Sequence, residues 1–343
     1  MKQKVQLKEL LRISGRDIKD NILGLAGIGL SFLETKSILL TGILSVICIW
    51  LLVDMISTLR ESFFQLREKH VPLVINVGDD DDFVDGMRLT ANQMLQADHF
   101  HPETYKKYFD VEKSDLSVHR EIFLSHNQEE WYRVLRRFES KVNLLNTRLQ
   151  GRRNFHIFMK CPVALALGLG AVSGSKNAVI LYHYIDSRYA KVFDLHCDEE
   201  TAIMGTHALK NPVEQPFEYF EVVEPKRIKP TLYIAIGAAS HPPNASVTQY
   251  AKGKDACIVS LNNTYGNTLG IDRDWRRAAQ ECITVIRKWA TKKEIQNVEI
   301  FISSPLELAF GIGMGLGTPT RITINHWFRE ENAYHPVFNL NEI

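Results

Sequence analysis

Short apolar runs alternate with amphipathic stretches along most of this 343-residue chain. Two longer segments, Trp131–Leu149 and Asp274–Ala290, place apolar side chains at helical spacing and predict helices that each cover one face of a sheet. Runs of mainly apolar residues predict β-strands at Leu73–Val77, Phe155–Met159, Ala178–Tyr184, Val192–Leu195, Leu232–Gly237, Ala256–Leu261 and Val298–Ile302. Strands that alternate with helices favour an α/β fold built on parallel sheets.

The carboxyl-terminal part of the chain repeats a pattern that occurs earlier. Phe158–Pro162 aligns without gaps on Phe301–Pro305, and Leu73–Gly78 resembles Leu232–Gly237 further upstream. Identities recur at Leu165/Leu308, Ala166/Ala309, Gly168/Gly311, Gly170/Gly313, Gly174/Gly317 and His183/His326, and after a shift of two residues at Tyr189/Tyr334, Val192/Val337, Phe193/Phe338 and Leu195/Leu340. Each repeat unit is well over 100 residues long. Such a unit is too long for a solenoid, so the repeat predicts two similar Rossmann-like halves packed against each other.

The segment before the repeats is strongly apolar. Ser37–Val53 has no charged residue and 13 apolar residues out of 17, which predicts a transmembrane helix. Asn21–Leu33 is also uncharged, and Lys36 is the one basic residue between the two runs. Basic residues are more numerous on the flanks: Lys2, Lys4, Lys8, Arg12, Arg16 and Lys19 precede the apolar region, and Arg60, Arg67 and Lys69 follow it. The positive-inside rule therefore favours a membrane hairpin with both ends in the cytoplasm. The alternatives are a first helix that re-enters without spanning, and a buried hydrophobic hairpin in a soluble protein, where Cys48 would be a core residue.

These patterns divide the chain into four predicted segments. Residues 1–69 hold the predicted transmembrane helices and a juxtamembrane helix. Residues 70–197 form the first module, and residues 231–343 form the second. Between the modules, residues 198–230 contain four prolines and are the predicted crossover.

The composition limits the kinds of ligand that the chain can hold. Lys and Arg total 41 against 40 Asp and Glu, so no global excess of positive charge is available to neutralise long DNA or RNA. The five cysteines are odd in number and form no CxxC, which argues against a disulfide framework and against a zinc site. His99 and His101 could bind a metal or belong to a solvated loop. We predict that the chain holds no metal.

The glycines of the repeats do not form a dinucleotide-binding turn. Gly311, Gly313, Gly315 and Gly317 miss the GxGxxG spacing and begin six residues past Pro305. They would lie inside a helix, so we interpret them as sites of close helix packing at the interface between the halves. The chain also lacks P-loop, GxSxG and HExxH motifs, so no catalytic constellation is predicted.

Four aspartates, Asp79–Asp82, follow the first predicted strand of the first module. They could hold a divalent cation, or they could cap the next helix. A phosphate would be repelled there unless a cation intervened. The corresponding loop of the second module, Ala238–Pro243, is small and polar and can admit an anion.

The carboxyl-terminal segment carries a family resemblance. An apolar strand, Ser303-Ser304-Pro305, the Leu306–Gly313 stretch, a second strand and Tyr334–Leu340 follow in order, and a weaker copy precedes them. This arrangement resembles the SAVED domain, a fusion of two CARF-like Rossmann subunits found in bacterial CBASS anti-phage systems. The resemblance spans residues 70–343. Together with the apolar amino terminus, the whole chain is similar to a transmembrane SAVED effector.

The resemblance implies a receptor and not an enzyme, with no cofactor besides its ligand. The implied ligand is a cyclic oligonucleotide, most simply a cyclic trinucleotide made by a partner nucleotidyltransferase. The implied response is homo-oligomerisation that disrupts the lipid bilayer of the bacterial inner membrane, with the SAVED-like domain in the cytoplasm. The alternatives are a membrane-bound Rossmann-like enzyme acting on a nucleotide or sugar phosphate, and a scaffold that only oligomerises.

The resemblance also implies where the ligand binds. It points to the loops after the first strand and after the strand preceding the proline of each module. The implied residues are Lys160, Cys161 and Pro162 of the first module and Gly237, Ala238, Ser240, His241, Ser303, Ser304 and Pro305 of the second. Serine hydroxyls and the amino end of the following helix can donate to one phosphate, and Lys160 could reach another. The alternative is that Lys160 is a surface lysine and that the serines cap the helix.

Overall fold

The chain divides into two compact units in a computed structural model. One unit comprises residues 1–69 with 149–152, and the other comprises residues 70–148 with 153–343. The structure describes residues 21–25, 27–28, 38–66, 68–96, 100–149, 151–174, 177–195, 205–251, 255–318 and 321–343.

The first unit contains one long helix, α1 (Ile38–Leu66), and helical residues at 21–25 and 27–28. Asn21 Nδ2 donates a 2.8 Å hydrogen bond to Asp54 Oδ2, and a Cβ on Gly24 would lie 3.2 Å from Leu51 Cδ1. The shorter helical stretch therefore packs along α1. Within the described part of this segment, no helix combines the length and the apolarity needed to cross a membrane. The turn at residues 34–36 and the basic residues before position 20, which the hairpin prediction uses, lie outside the described residues.

The first module is built on a five-stranded sheet. Its strands are β1 (Lys69–Val77), β2 (Ser117–Arg120), β3 (Arg153–Lys160), β4 (Ala178–Ile185) and β5 (Arg188–Leu195). Its helices are α2 (Asp81–Leu95), α3 (Pro102–Phe109), α4 (Gln128–Arg148) and α5 (Val163–Ser173), with a 3-10 turn at Lys113–Leu116. The strand order is β2-β1-β3-β4-β5, in which β1 and β2 are parallel, β3 and β4 are parallel, and β4 and β5 form an antiparallel hairpin.

The second module is built on a six-stranded sheet that follows the same plan. Its strands are β6 (Phe220–Val223), β7 (Thr231–Gly237), β8 (Ala256–Leu261), β9 (Asn297–Ser303), β10 (Ile322–Phe328) and β11 (Ala333–Asn339). Its helices are α6 (Gly205–Ala208), α7 (Asn244–Tyr250), α8 (Trp275–Ala290) and α9 (Leu306–Leu316), with 3-10 turns at Asn263–Tyr265 and Leu340–Glu342. The order is β11-β10-β9-β7-β8-β6, and β10, β9, β7 and β8 run parallel. Two parallel-rich sheets confirm the predicted mixed α/β fold with tandem Rossmann-like modules.

The two modules share even a local irregularity. The β4–β5 register shifts between Leu181 and Tyr182, and the β10–β11 register shifts between Ile324 and Asn325. These positions coincide when the repeats are aligned. The turn that follows has two residues, 186–187, in the first hairpin and four, 329–332, in the second. The longer turn explains why the sequence alignment moves by two residues after this point.

Helices α5 and α9 pack together where glycines bring their backbones into contact. A Cβ on Gly170 would lie 1.9 Å from the carbonyl oxygen of Phe310, and a Cβ on Gly313 would lie 1.9 Å from that of Leu167. Gly170 aligns with Gly313, and Leu167 with Phe310. The two contacts are therefore reciprocal, as they are across a two-fold axis. The interpretation of the glycines as packing sites inside a helix is confirmed for Gly311, Gly313 and Gly315. Gly317 instead follows the end of α9 with a positive φ of 70°.

The same pseudo-symmetry governs the aromatic residues around these helices. Trp131 of α4 lies with its ring centroid 5.2 Å from that of His326 in the second module, and Trp275 of α8 lies 5.5 Å from His183 in the first. Both tryptophans are almost fully buried. Each module therefore places its helix tryptophan against the hairpin of the other, which joins the two modules in one core.

Candidate functional site

The loops predicted to bind the ligand in the second module lie side by side. β7 ends at Gly237 opposite Ser303, the last residue of its parallel neighbour β9. The Ala238 amide donates a 2.7 Å hydrogen bond to the Ser303 carbonyl. A Cβ on Gly237 would lie 2.8 Å from Pro242 Cβ, so glycine allows the next loop to fold back over the strand end. The carboxyl ends of adjacent parallel strands are the usual ligand edge of such a sheet.

A cavity of about 700 Å³ opens at this edge, within the range of small-molecule sites. It contains four of the predicted residues, Ser240, His241, Ser303 and Ser304. The rest of its lining consists of Val163, Pro242, Pro243, Ser246, Ile302, His326, Trp327 and Tyr334. Val163 begins α5, so the first module contributes the amino end of a helix to this cavity.

An aromatic wall joins this cavity to a second one of about 520 Å³. Trp327 and Tyr334 line both, with ring centroids 5.0 Å apart in an edge-to-face arrangement, and Tyr250 lines the second cavity. Burial raises the pKa of Tyr334 to about 12, and burial together with nearby Glu299 raises the pKa of Tyr250 to about 12. Both phenols therefore stay protonated at neutral pH and can donate hydrogen bonds. The sequence reasoning missed this wall because it considered strand ends and overlooked the hairpin.

The two helix amino ends near this edge differ in charge. The first turn of α9 carries Glu307, which is almost fully buried and lies 2.8 Å, at Oε2, from His183 Nδ1. The first turn of α5 contains no acidic residue. A carboxylate stabilises a helix amino end and competes there with any other anion. The amino end of α5, at Val163, is therefore the better electrostatic match for a phosphate.

The predicted residues of the first module stand apart from the cavity lining. Lys160 Nζ lies 2.6 Å from Asp79 Oδ1 and 4.0 Å from the ring centroid of Phe83. Burial acts to raise the pKa of Asp79, but hydrogen bonds from Lys160 and Asn76 outweigh it and lower the pKa. The Asp80 side chain accepts a 2.9 Å hydrogen bond from the Phe83 amide and caps α2. Asp81 Oδ1 also lies 3.0 Å from His119 Nδ1, so three of the four aspartates cap a helix or contact a basic side chain.

Cys161, Pro162 and Pro305 have structural positions at helix starts. Pro162 and Pro305 immediately precede α5 and α9 in extended conformations. Cys161 is partly exposed as a residue, but its thiol is buried, and burial with the nearby Glu307 charge raises the pKa of the thiol. Cys161 therefore remains a neutral thiol and offers no thiolate to a ligand.

The pKa values of the aligned histidines His183 and His326 are shifted in opposite directions. The hydrogen bond to Glu307 is the main cause that raises the pKa of His183, whereas burial and the nearby His126 lower the pKa of His326 to about 4. The position in α5 that aligns with Glu307 is Ala164. The absence of a carboxylate at this position of α5 contributes to the asymmetry.

Comparison with known proteins agrees with this architecture. Residues 206–340 match the family of the SAVED sensor domain, described as "SMODS-associated and fused to various effectors". The SAVED resemblance is confirmed for these residues. No curated protein matches the chain.

The chain is also similar to solved structures of Cap4 SAVED/CARF-domain receptors. The Acinetobacter baumannii receptor with the cyclic trinucleotide 3′3′3′-cAAA matches with a TM-score of 0.50 and 16% identity, over 84% of this chain and 55% of that one. The same receptor with 2′3′3′-cAAA gives a TM-score of 0.49, 16% identity and the same two coverages. The Moraxella osloensis Cap4 receptor matches with a TM-score of 0.44 and 15% identity, over 79% of this chain and 50% of that one. This chain spans about half the length of these receptors.

Proposed function

We propose that this chain is a receptor that binds a cyclic oligonucleotide, in the first instance a cyclic trinucleotide, in the cavity at the ends of β7 and β9. The observation that carries the proposal is a cavity of about 700 Å³ at the ligand edge of the sheet, whose lining residues apart from Val163 all belong to the segment that matches the SAVED family. The Acinetobacter baumannii receptor with the same fold was solved with such a trinucleotide. The expected source of the ligand is a partner nucleotidyltransferase.

The cavity offers the ligand neutral donors and aromatic surfaces. Trp327 and Tyr334 can stack against bases, since every base presents a π-face. Ser303 and Ser304 can donate hydroxyl hydrogen bonds to phosphate oxygens, and the amino end of α5 favours a phosphate. No lysine or arginine is among the described residues that line the cavity. Binding would therefore depend on stacking and hydrogen bonds more than on ion pairing.

The proposed output is assembly at the inner membrane of a bacterium, with the SAVED-like modules in the cytoplasm. The support comes from α1, where six large apolar side chains are each more than half exposed. They are Ile43, Val46, Ile49, Trp50, Val53 and Ile56. An apolar surface of this kind commonly marks a membrane or protein contact. Ligand-driven oligomerisation would gather these helices and disrupt the bilayer.

The cavity can be tested by comparing two aligned aromatic residues. Trp327→Ala removes a stacking surface of the cavity, so we expect it to weaken binding of 3′3′3′-cAAA by about 1–3 kcal/mol, the usual value of one stacked base. Tyr184 holds the equivalent position in the first module and is exposed outside the cavity lining. Tyr184→Ala is therefore the matched control and should bind like the wild type. The measurement is calorimetry on the full-length chain at fixed salt.

Three results would count against the proposal. The first is the absence of heat when wild-type protein is titrated with any cyclic di- or trinucleotide. The second is binding by folded Trp327→Ala that is as tight as binding by Tyr184→Ala. Recovery of a chemically altered nucleotide by chromatography would favour the enzyme alternative. Light scattering and dye release from vesicles, with and without ligand, test assembly and membrane disruption separately from binding.

A further inference from the structure

Two histidines and a glutamate converge where the first module meets the β10–β11 hairpin. His126 Nε2 lies 2.7 Å from Glu331 Oε1, and His335 Nε2 lies 2.8 Å from Glu331 Oε2. The imidazole rings stack with centroids 4.4 Å apart. His126 comes from the loop before α4, whereas the other two belong to the hairpin. One carboxylate therefore faces two imidazoles from different modules.

The ligating atoms already lie close to the arrangement of a metal site. All three lie within 4.8 Å of one another, and the ligand atoms around a tetrahedral zinc ion, with bonds of about 2.0–2.1 Å, are about 3.3 Å apart. Side-chain rotations that move the ligating atoms by about an ångström would bring them to the separation found around zinc. Such movements are small for partly exposed residues. Two His nitrogens and one Glu oxygen form a ligand set that zinc uses with a water in the fourth position.

One nitrogen of the cluster has an unmet bonding requirement. His335 Nε2 is buried, and despite its 2.8 Å approach to Glu331 it makes no hydrogen bond of acceptable geometry within the described part of the chain. A buried imidazole nitrogen of this kind normally has a partner. A cation between the two histidines and the carboxylate would satisfy it and remove the crowding of two rings around one acid.

The surroundings hold the cluster in place. Gln128 Nε2 donates a 3.2 Å hydrogen bond to the Pro336 carbonyl, and the Tyr132 hydroxyl accepts one of 2.9 Å from the Asn339 amide. Both contacts join the start of α4 to β11. The side chains of His126 and Glu331 are nevertheless 40% and 47% exposed, so an ion can reach them from solvent. The elements that supply the ligands are fixed while the ligands themselves can adjust.

We propose that His126, Glu331 and His335 bind a divalent transition-metal ion of the zinc class, which ties the first module to the β10–β11 hairpin. His335 pairs across the hairpin with His326, which lines the candidate cavity. The ion would therefore brace the wall that carries Trp327 and Tyr334. This proposal is independent of the proposed ligand.

The test measures zinc in full-length protein that has been stripped with chelator and then dialysed against zinc. We expect one zinc per chain in the wild type. In His126→Gln, Glu331→Gln and His335→Gln we expect at least about tenfold weaker binding, because even the loss of an outer-shell partner costs about 10–100-fold. His101→Gln removes an exposed histidine outside the cluster and should keep the full zinc content. It also tests the metal hypothesis for His101 directly.

Thermal melting gives a second readout that does not depend on stoichiometry. Equimolar zinc should raise the melting temperature of the wild type and of His101→Gln, because a ligand that binds the folded state stabilises it, and should leave Glu331→Gln unchanged. Glu331→Gln keeps the side-chain shape, so it serves if a histidine variant does not fold. The proposal would be overturned if the wild type bound no zinc, or if Glu331→Gln kept the zinc content of the wild type.

Discussion

The glycine contact between α5 and α9 gives the sharpest prediction about stability. Gly313→Ala would place a Cβ 1.9 Å from the carbonyl oxygen of Leu167 and 2.8 Å from the Ala171 amide nitrogen. Both obstacles are backbone atoms inside a buried helix, so they cannot move as a flexible side chain could. Overpacking a tight core costs about 1–3 kcal/mol, occasionally more. Replacing a glycine inside a helix by alanine stabilises the folded state by only about 0.5–1 kcal/mol. Because the obstacles are backbone atoms, the upper end of the overpacking cost applies, and we expect a net loss of about 2–2.5 kcal/mol in the free energy of unfolding.

The control for this prediction is Gly86→Ala in α2. Gly86 is an exposed helical position where a Cβ would meet no atom within 4 Å. The same substitution should there raise stability by up to about 1 kcal/mol. Denaturant unfolding of both variants in parallel measures the difference. If Gly313→Ala were as stable as Gly86→Ala, the reasoning about backbone contact between the helices would be wrong.

Three further outcomes can be checked together. Lys160→Glu should leave affinity for a cyclic trinucleotide within about twofold by calorimetry, because the lysine pairs with Asp79 outside the cavity lining and an exposed pair contributes at most about 1 kcal/mol to stability. The pKa of His183 is raised in the folded chain above its unfolded value of about 6.5. Protonated His183 therefore stabilises the folded state fully at pH values below about 6.5, and this stabilisation is lost as the pH rises through the folded pKa. His183→Gln should therefore flatten the fall in melting temperature as the pH rises above about 6.5. Affinity for the trinucleotide should fall less than about tenfold between roughly 50 and 200 mM salt, since the described residues that line the cavity include no lysine or arginine.

The features that could be predicted from the sequence are those with a local signature. Strand β7 is buried along nearly its whole length, and its apolar run is visible without any partner. Helix α8 places Trp275, Cys282 and Trp289 on its buried side at helical spacing. The repeat was detectable in part because a Cβ on Gly170 or Gly313 would lie 1.9 Å from a backbone oxygen of the other helix, which leaves no room for a larger residue.

The features that the sequence did not reveal depend on partners distant in the chain. Strand β2 has only four residues and belongs to the sheet because it pairs with β1. Glu281 is completely buried in α8, where it accepts hydrogen bonds from the amides of residues 218, 219 and 220. Nothing in the local pattern distinguishes this carboxylate from a solvated one. In the sequence, Trp327 likewise looks like an ordinary strand residue. Its place in the cavity wall depends on the contact with Tyr334 across the hairpin.

The two modules differ at two aligned positions where a ligand would bind. Asp79 aligns with Ala238, and Lys160 aligns with Ser303. In the first module these two positions form an ion pair with a 2.6 Å contact, whereas in the second they are linked by a 2.7 Å backbone hydrogen bond and their small side chains leave a cavity. The Asp79–Lys160 pair neutralises the lysine and occupies the space that the second module leaves open. A tandem repeat with one closed edge and one open edge is therefore expected to hold a single ligand per chain at the second module.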